Sequence, residues 1–139
     1  MFVSPLPPVD VPAVRLYDFL FANLTPTDRE RIALIDPSTG TEITFAELAA
    51  NIDAFAGALA VRGVTTSTVI GLLCPNTTGF VTAFHGALRA GATVTTINAT
   101  YTEREITSQL TDAGADWLLT ISPLLPQAQA AADAAGIVS

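Results

Sequence analysis

The chain of 139 residues contains no lysine, a single cysteine, a single histidine and few charges of either sign. Without lysine, these residues hold neither the cation of a Walker-type phosphate loop nor a lysine nucleophile. Cys74 stands alone, so one chain can build no disulfide framework and no multi-cysteine metal site. A reducing, cytoplasmic compartment is expected. The cations are Arg15, Arg29, Arg31, Arg62, Arg89 and Arg104, scattered among 13 acidic residues for a net charge of −7. A nucleic-acid partner requires a cationic face that releases counterions, and none is offered. No run of about 18 apolar residues is present to span a membrane. The N-terminus carries Pro5, Pro7, Pro8 and Pro12 where a signal peptide would carry a basic patch and an apolar run. Asn23, Asn76 and Asn98 each open an Asn-x-Thr triplet, read here as chance occurrences.

What is present is a large apolar fraction. Half of the residues are hydrophobic and 14% are charged, against roughly 25% charged in an ordinary soluble domain. The length suits one domain with a real core.

Residues 1–14 read as an extended arm stiffened by proline. Leu16, Phe19, Leu20 and Leu24 then recur at helical spacing, and Thr25-Pro26 can cap a further short turn. In IALIDPSTGTEITF, the runs Ile32–Ile35 and Glu42–Phe45 flank turn residues, which predicts a β-hairpin. Thr44 and Glu47 form a capping box with Ile43 and Leu48 as its staple, and Ile52, Phe55 and Leu59 continue the helix. A strand over Thr68–Leu73 follows. Asn76 is expected to cap a helix carrying Phe80, Phe84 and Leu88. Thr93–Ile97 is a β-branched strand. Thr102 and Glu105 make a second capping box, with Tyr101 and Ile106 as its staple. Trp117–Ile121 is a strand, and Ser122-Pro123 is expected to cap the last helix. Ile137-Val138 reads as one more strand beginning.

Glycine supplies the punctuation. Gly63, Gly91, Gly114 and Gly136, at intervals of 28, 23 and 22 residues, each close a helix and open a strand. The fold class implied is α/β: a short N-terminal hairpin, then βα units forming a mainly parallel sheet with helices on both faces. Residues 15–139 are expected to be part of one α/β domain. A final strand that has only begun suggests an incomplete one.

Each candidate for chemistry has a plainer structural reading. Pro37–Thr41 (PSTGT) has the composition of a phosphate loop, but such a loop leads from a strand into a helix, and this one joins two strands. Gly86 to Gly91 has the glycine spacing of a P-loop, with Ala92 in place of lysine and helix before strand. His85 sits between Phe84 and Gly86 with no orienting partner in view, and is expected to be a satisfied core or helix-surface histidine. Cys74 ends a buried strand with no cation nearby and is expected to be inert. Glu103 and Glu105 lie in a helix's first turn, where acids favour the dipole. The expected catalytic, cofactor-binding and metal-ligating residues within the chain are therefore none.

Taken in order, TFAELAANIDAFAGALAVRGV, TVIGLLCPNTTGFVTAFHGALRAGATVTTIN and YTEREITSQLTDAGADWLLT resemble the opening of adenylate-forming (AMP-dependent synthetase/ligase) enzymes, in the 4-coumarate:CoA ligase-like and fatty acyl-CoA ligase branch. The arm and LYDFLF resemble that family's usual entry, so the likeness covers nearly the whole chain. Three places depart from it. Asn98-Ala99-Thr100 stands where Asn-Pro often precedes Tyr-Thr, Gly79 where glutamate often follows Pro-Asn-x-x, and Thr66-Ser67 where Gly-Asp is usual.

The resemblance implies an enzyme that activates a carboxylate with ATP and magnesium, then passes the acyl group to coenzyme A. The family's Ser/Thr/Gly-rich phosphate loop ending in Pro-Lys-Gly, its acidic ribose-binding residue and its C-terminal catalytic lysine have no counterpart in Met1–Ser139. The expectation is thus a scaffold fragment, inactive by itself, whose partner is the remainder of the parent enzyme and which self-associates through uncovered apolar surface. The alternative is a stand-alone α/β binding or interaction domain without catalysis.

Overall fold

A computed structural model describes residues 5–137. Residues 5–14 hold no helix or strand and have exposed side chains. The elements then run α1 (Leu16–Phe21), α2 (Pro26–Glu30), β1 (Ile32–Ile35), β2 (Glu42–Thr44), α3 (Phe45–Val61), β3 (Val69–Leu73), α4 (Thr78–Ala90), β4 (Thr93–Ile97), α5 (Glu103–Ala113), β5 (Trp117–Thr120), a single 3-10 turn at Ser122–Leu124, and α6 (Leu125–Ala135).

β1 and β2 form an antiparallel hairpin of their own, while β3, β4 and β5 form a parallel sheet in the order β4-β3-β5. The chain steps from β3 outward to β4, then back across β3 to β5. With both crossovers right-handed, this reversal sends their helices to opposite faces. The packing agrees. Leu59, Val64, Ile70 and Ala87 gather α3 and α4 on one face. On the other, Leu73, Ile97, Ile106, Leu110, Ala128 and Ala131 gather α5 and α6. A third cluster, with Phe21, Leu48, Ala49 and Ile52 at its centre, seats α1 and the hairpin against α3.

The expected caps operate on α3 and α5. Thr44 accepts from the Glu47 N–H while Glu47 accepts from the Thr44 N–H, and Thr102 and Glu105 repeat the exchange. Those bonds from Thr44 and Thr102 hold the Glu47 and Glu105 carboxyls below the ordinary glutamate value. A further box at Thr25 and Asp28 opens α2, where the sequence had shown only Thr-Pro. Gly91, Gly114 and Gly136 end α4, α5 and α6 with positive φ, as glycine permits.

Three expectations are corrected. In α1 the buried side is Phe21 with Tyr17 and Leu24 packed around it, while Leu16, Phe19 and Leu20 of the expected stripe face outward. A six-residue helix apolar on nearly every side cannot choose its face by periodicity. The cap of α4 is Thr77, whose hydroxyl accepts from the Phe80 N–H, and not Asn76. Ser122 caps nothing by its side chain: Pro123 opens the 3-10 turn, and Pro126 stands in the first turn of α6. The strand expected at Ile137-Val138 falls largely outside the described residues; Ile137 itself packs on the α5–α6 cluster.

α3 and α4 approach closely because Gly86 has no side chain. A Cβ there would lie 2.8 Å from Phe55 Cδ1 and 3.1 Å from Phe55 Cβ. Across the same contact Arg89 meets Asp53 at 2.6 Å. Gly57, also helical, has nothing within 4 Å of such an atom. Gly86→Ala should therefore destabilise the chain by about 1–2 kcal/mol through forced separation of the helices. Gly57→Ala should stabilise it by about 0.5–1 kcal/mol by restricting the unfolded chain. Urea unfolding of the two variants beside the parent checks both signs.

Candidate functional site

In an open parallel sheet, ligands enter the crevice outside the carboxyl ends of strands where the connections diverge to opposite faces. Here β3 leads to α4 on one face and β4 leads to α5 on the other, and between their ends lies a crevice of about 510 Å3. Its walls are Cys74-Pro75-Asn76 after β3, the Thr96–Tyr101 stretch at the end of β4, and Phe80 from the first turn of α4. This is the candidate site.

Several of the polar groups at and around it serve the fold. The Asn98 Oδ1 accepts from both the backbone N–H and the hydroxyl of Thr100, at 3.0 Å each, so a side-chain turn holds the segment where proline was expected. The Thr77 hydroxyl is taken by α4. The backbone carbonyl of Tyr101 accepts from Gln127 Nε2 on α6. Gln109 on α5 donates to the Thr95 hydroxyl and the Thr96 carbonyl, at 2.8 and 2.9 Å. Cys74 is 7% exposed at the floor, with Sγ 3.9 Å from the Thr77 oxygen.

No charged side chain lines the crevice. A nucleoside triphosphate with magnesium needs cations for its phosphates and oxygen ligands for the metal. Among the described residues no three of His, Cys, Asp and Glu come together. Arg31 pairs with Asp28, Arg62 donates to the Ala58 carbonyl on its own helix, and Arg89 is held by Asp53 and stacked on Tyr17. The donor set does not fit such a ligand.

The other sequence candidates lie apart. Pro37–Thr41 is the hairpin turn, closed by the Gly40 N–H on the Asp36 carbonyl while Asp36 Oδ1 accepts from the Ser38 N–H and hydroxyl. Gly86–Gly91 is the end of α4, and Ala92 is buried. Glu105 is engaged by its own helix cap, and Glu103 sits exposed in the same turn. His85 faces α1, away from any nucleophile, its ring 6.1 Å from Phe21 and 5.3 Å from Phe84, edge to face with both. It is not the satisfied histidine expected: its Nδ1 is buried with no hydrogen-bond partner. Burial lowers its pKa from the ordinary 6.5. The crevice itself was missed from the sequence, because locating it requires the strand order.

Two further apolar hollows lie apart from the crevice. One, of about 280 Å3, lies along the unpaired edge of β5 and is floored by Trp117, Leu118, Ala128 and Ala132. The other runs between the outer faces of α3 and α4, along Ala54, Ala58, Gly79 and Ala83. No helix among the described residues is long and apolar enough to cross a membrane.

A family model for AMP-binding enzymes matches residues 21–138. The chain belongs to the AMP-binding enzyme family. Among curated proteins, it is 34% identical to peroxisomal OPC-8:0-CoA ligase 1 of Arabidopsis thaliana, over 99% of this chain and 25% of that protein. It is 35% identical to 4-coumarate–CoA ligase 5 of Oryza sativa subsp. japonica, over 86% of this chain and 22% of that one. Among solved structures, a benzoate CoA ligase from Burkholderia xenovorans LB400 superposes with a TM-score of 0.80 at 28% identity, covering 89% of this chain and 25% of the other. The N-terminal domain of FACL13 from Mycobacterium tuberculosis superposes with a TM-score of 0.75 at 25% identity, covering 84% and 29%. The chain thus spans about a quarter of the length of the curated relatives it matches. Its α/β architecture is that of the opening part of acyl-CoA ligase N-terminal domains.

The crevice rim can be tested as structure. Thr77→Ala should cost about 1 kcal/mol, through loss of the α4 cap. Asn76→Ala should change stability by no more than about 0.5 kcal/mol. Chemical denaturation of the pair decides which residue caps the helix; equal losses would contradict the assignment.

Proposed function

We propose that the chain is scaffold for an acyl-CoA ligase-like enzyme and does no chemistry alone. The supporting observation is the match to CoA ligases along nearly all of this chain and only a quarter of theirs, combined with a crevice that no charged side chain lines and whose Asn98 amide oxygen is engaged by the fold. In the whole enzyme, a carboxylate oxygen attacks the α-phosphorus of ATP and pyrophosphate leaves. The thiol of coenzyme A then attacks the acyl carbonyl carbon and AMP leaves. ATP, magnesium and coenzyme A belong to that larger assembly, in this reading, and the residues that hold them lie outside Met1–Ser139. The contribution of this chain is a rigid wall: β3 and β4 present an uncharged crevice, and the hydrophobic layers behind it fix its shape.

The remainder of the enzyme is the proposed partner. It would cover the β5 edge and the α3–α4 groove, and in its absence a second copy would compete for the same surfaces. A cytoplasmic location is part of the proposal, resting on the lone free Cys74.

Carboxylate-dependent exchange of pyrophosphate into ATP is the direct test. The pure chain, given magnesium, ATP and a panel of aromatic and fatty acids, should show no exchange above the protein-free rate. Measurable exchange would overturn the proposal. ATP binding in calorimetry without exchange would favour the stand-alone binding domain instead.

A further inference from the structure

We propose that His85 is a proton-operated latch on α1, such that protonation of its buried Nδ1 releases the helix Leu16–Phe21 from α4. The one histidine in the chain lies where α1 is attached. α1 is a single short helix: Phe21 seats it on Leu48, Ala49 and Ile52 of α3, and it meets α4 at two points. At one, the Tyr17 ring lies under the Arg89 guanidinium, 3.8 Å from carbon to centroid, and Arg89 is paired with Asp53 on α3. At the other, Phe21, 6% exposed, packs edge to face with the His85 ring. The opposite side of α1 lies largely in solvent: Phe19 is 59% exposed and Leu16 46%.

The second grip accommodates only a neutral imidazole. His85 Nδ1 is the one buried side-chain polar atom among the described residues with no hydrogen-bond partner. A neutral ring can leave Nδ1 as a bare acceptor at modest cost, with the proton on Nε2. A protonated ring carries N–H on both nitrogens, and a charged donor buried without an acceptor is far costlier. Neighbouring charges do not relieve it. Asp53 on α3 and Arg89 on α4 are engaged with each other, Tyr17 on α1 is engaged with both, and Arg15 and Asp18 on α1 are exposed. Burial lowers the proton affinity of His85. The cheapest relief is for Phe21 to withdraw and water to reach Nδ1.

The sign follows from linkage. With α1 released, His85 binds its proton near the ordinary value of 6.5; with α1 docked, it binds more weakly. Docking is therefore at full strength above that value. It weakens as pH falls through it, by up to about tenfold per pH unit, until the docked form is itself protonated.

Amide exchange on the intact chain reads this out. The N–H groups of Phe19 and Ala22, bonded to the carbonyls of Arg15 and Asp18, report α1. After correction for intrinsic rates, their protection should fall between pH 7.5 and 5.5, by at most about tenfold, while that of β4 and α5 stays constant. His85→Phe keeps an aromatic ring and removes the proton, so its α1 protection should be independent of pH, which also separates His85 from Asp53. Should that variant fail to fold, the His85 ring resonances of the parent chain serve instead. They should titrate below 6.5, in step with α1. Protection unchanged by pH, an equal loss in His85→Phe, or titration at or above 6.5 would each overturn the proposal.

Discussion

The structure depends on burying one five-residue strand on both faces. β3 reads Val-Ile-Gly-Leu-Leu, and four of its residues are buried. Strands of this kind belong at the centre of parallel sheets, where helices cover each side. Gly71 makes the covering tight. A Cβ there would stand 2.5 Å from Leu110 Cδ2 and 3.2 Å from Ile97 Cδ1, so α5 presses on the strand at the position without a side chain. The β5 ladder is held at both ends. Asp116 accepts from the Val69 N–H at 2.8 Å, and the Thr120 hydroxyl donates to the Leu73 carbonyl at 2.9 Å. With β3 fixed, the places where the chain leaves β3 and β4 are fixed too, and they are the rim of the crevice.

The same arrangement explains why the site is chemically quiet. Helix starts at the sheet's carboxyl end are where open α/β sheets offer free N–H groups to anions. Here Thr102 and Glu105 take up one another's N–H groups at the start of α5, and Thr77 accepts from the Phe80 N–H at the start of α4. Asn98 folds back on its own segment. The surface that remains is a shaped wall, suited to contribute one side of a pocket whose reacting groups come from elsewhere.

Much of the fold was legible because short-range signals agreed with one another. Thr44 with Glu47, Thr102 with Glu105 and a glycine after each long helix mark boundaries by local hydrogen bonding and backbone freedom, which tertiary contacts seldom override. The misses share a cause. The side that α1 buries is set by Leu48, Ala49 and Ile52 against Phe21 and by Arg89 over Tyr17, all far along the chain. The choice of Thr77 over Asn76 depends on how the backbone leaves β3 after Pro75, since either residue is a competent cap. His85 read as an ordinary helix histidine because neighbours in sequence say nothing of its buried, unpartnered Nδ1 or of the Phe21 ring beside it. The crevice was invisible for a topological reason: strand order is not written in periodicity, and only the reversal across β3 opens it. The family resemblance was carried by the order of its segments, and the match over residues 21–138 bears it out.

The central claim is that the chemistry belongs to a larger polypeptide for which these residues are scaffold. Its most direct test is the intact mass of the protein that carries this sequence in its own cell, captured through peptides from the Pro26–Glu47 region. The account predicts a species several times heavier than 14.4 kDa. A mature protein of 14.4 kDa, and nothing heavier, would contradict it and turn attention to what the crevice binds unaided.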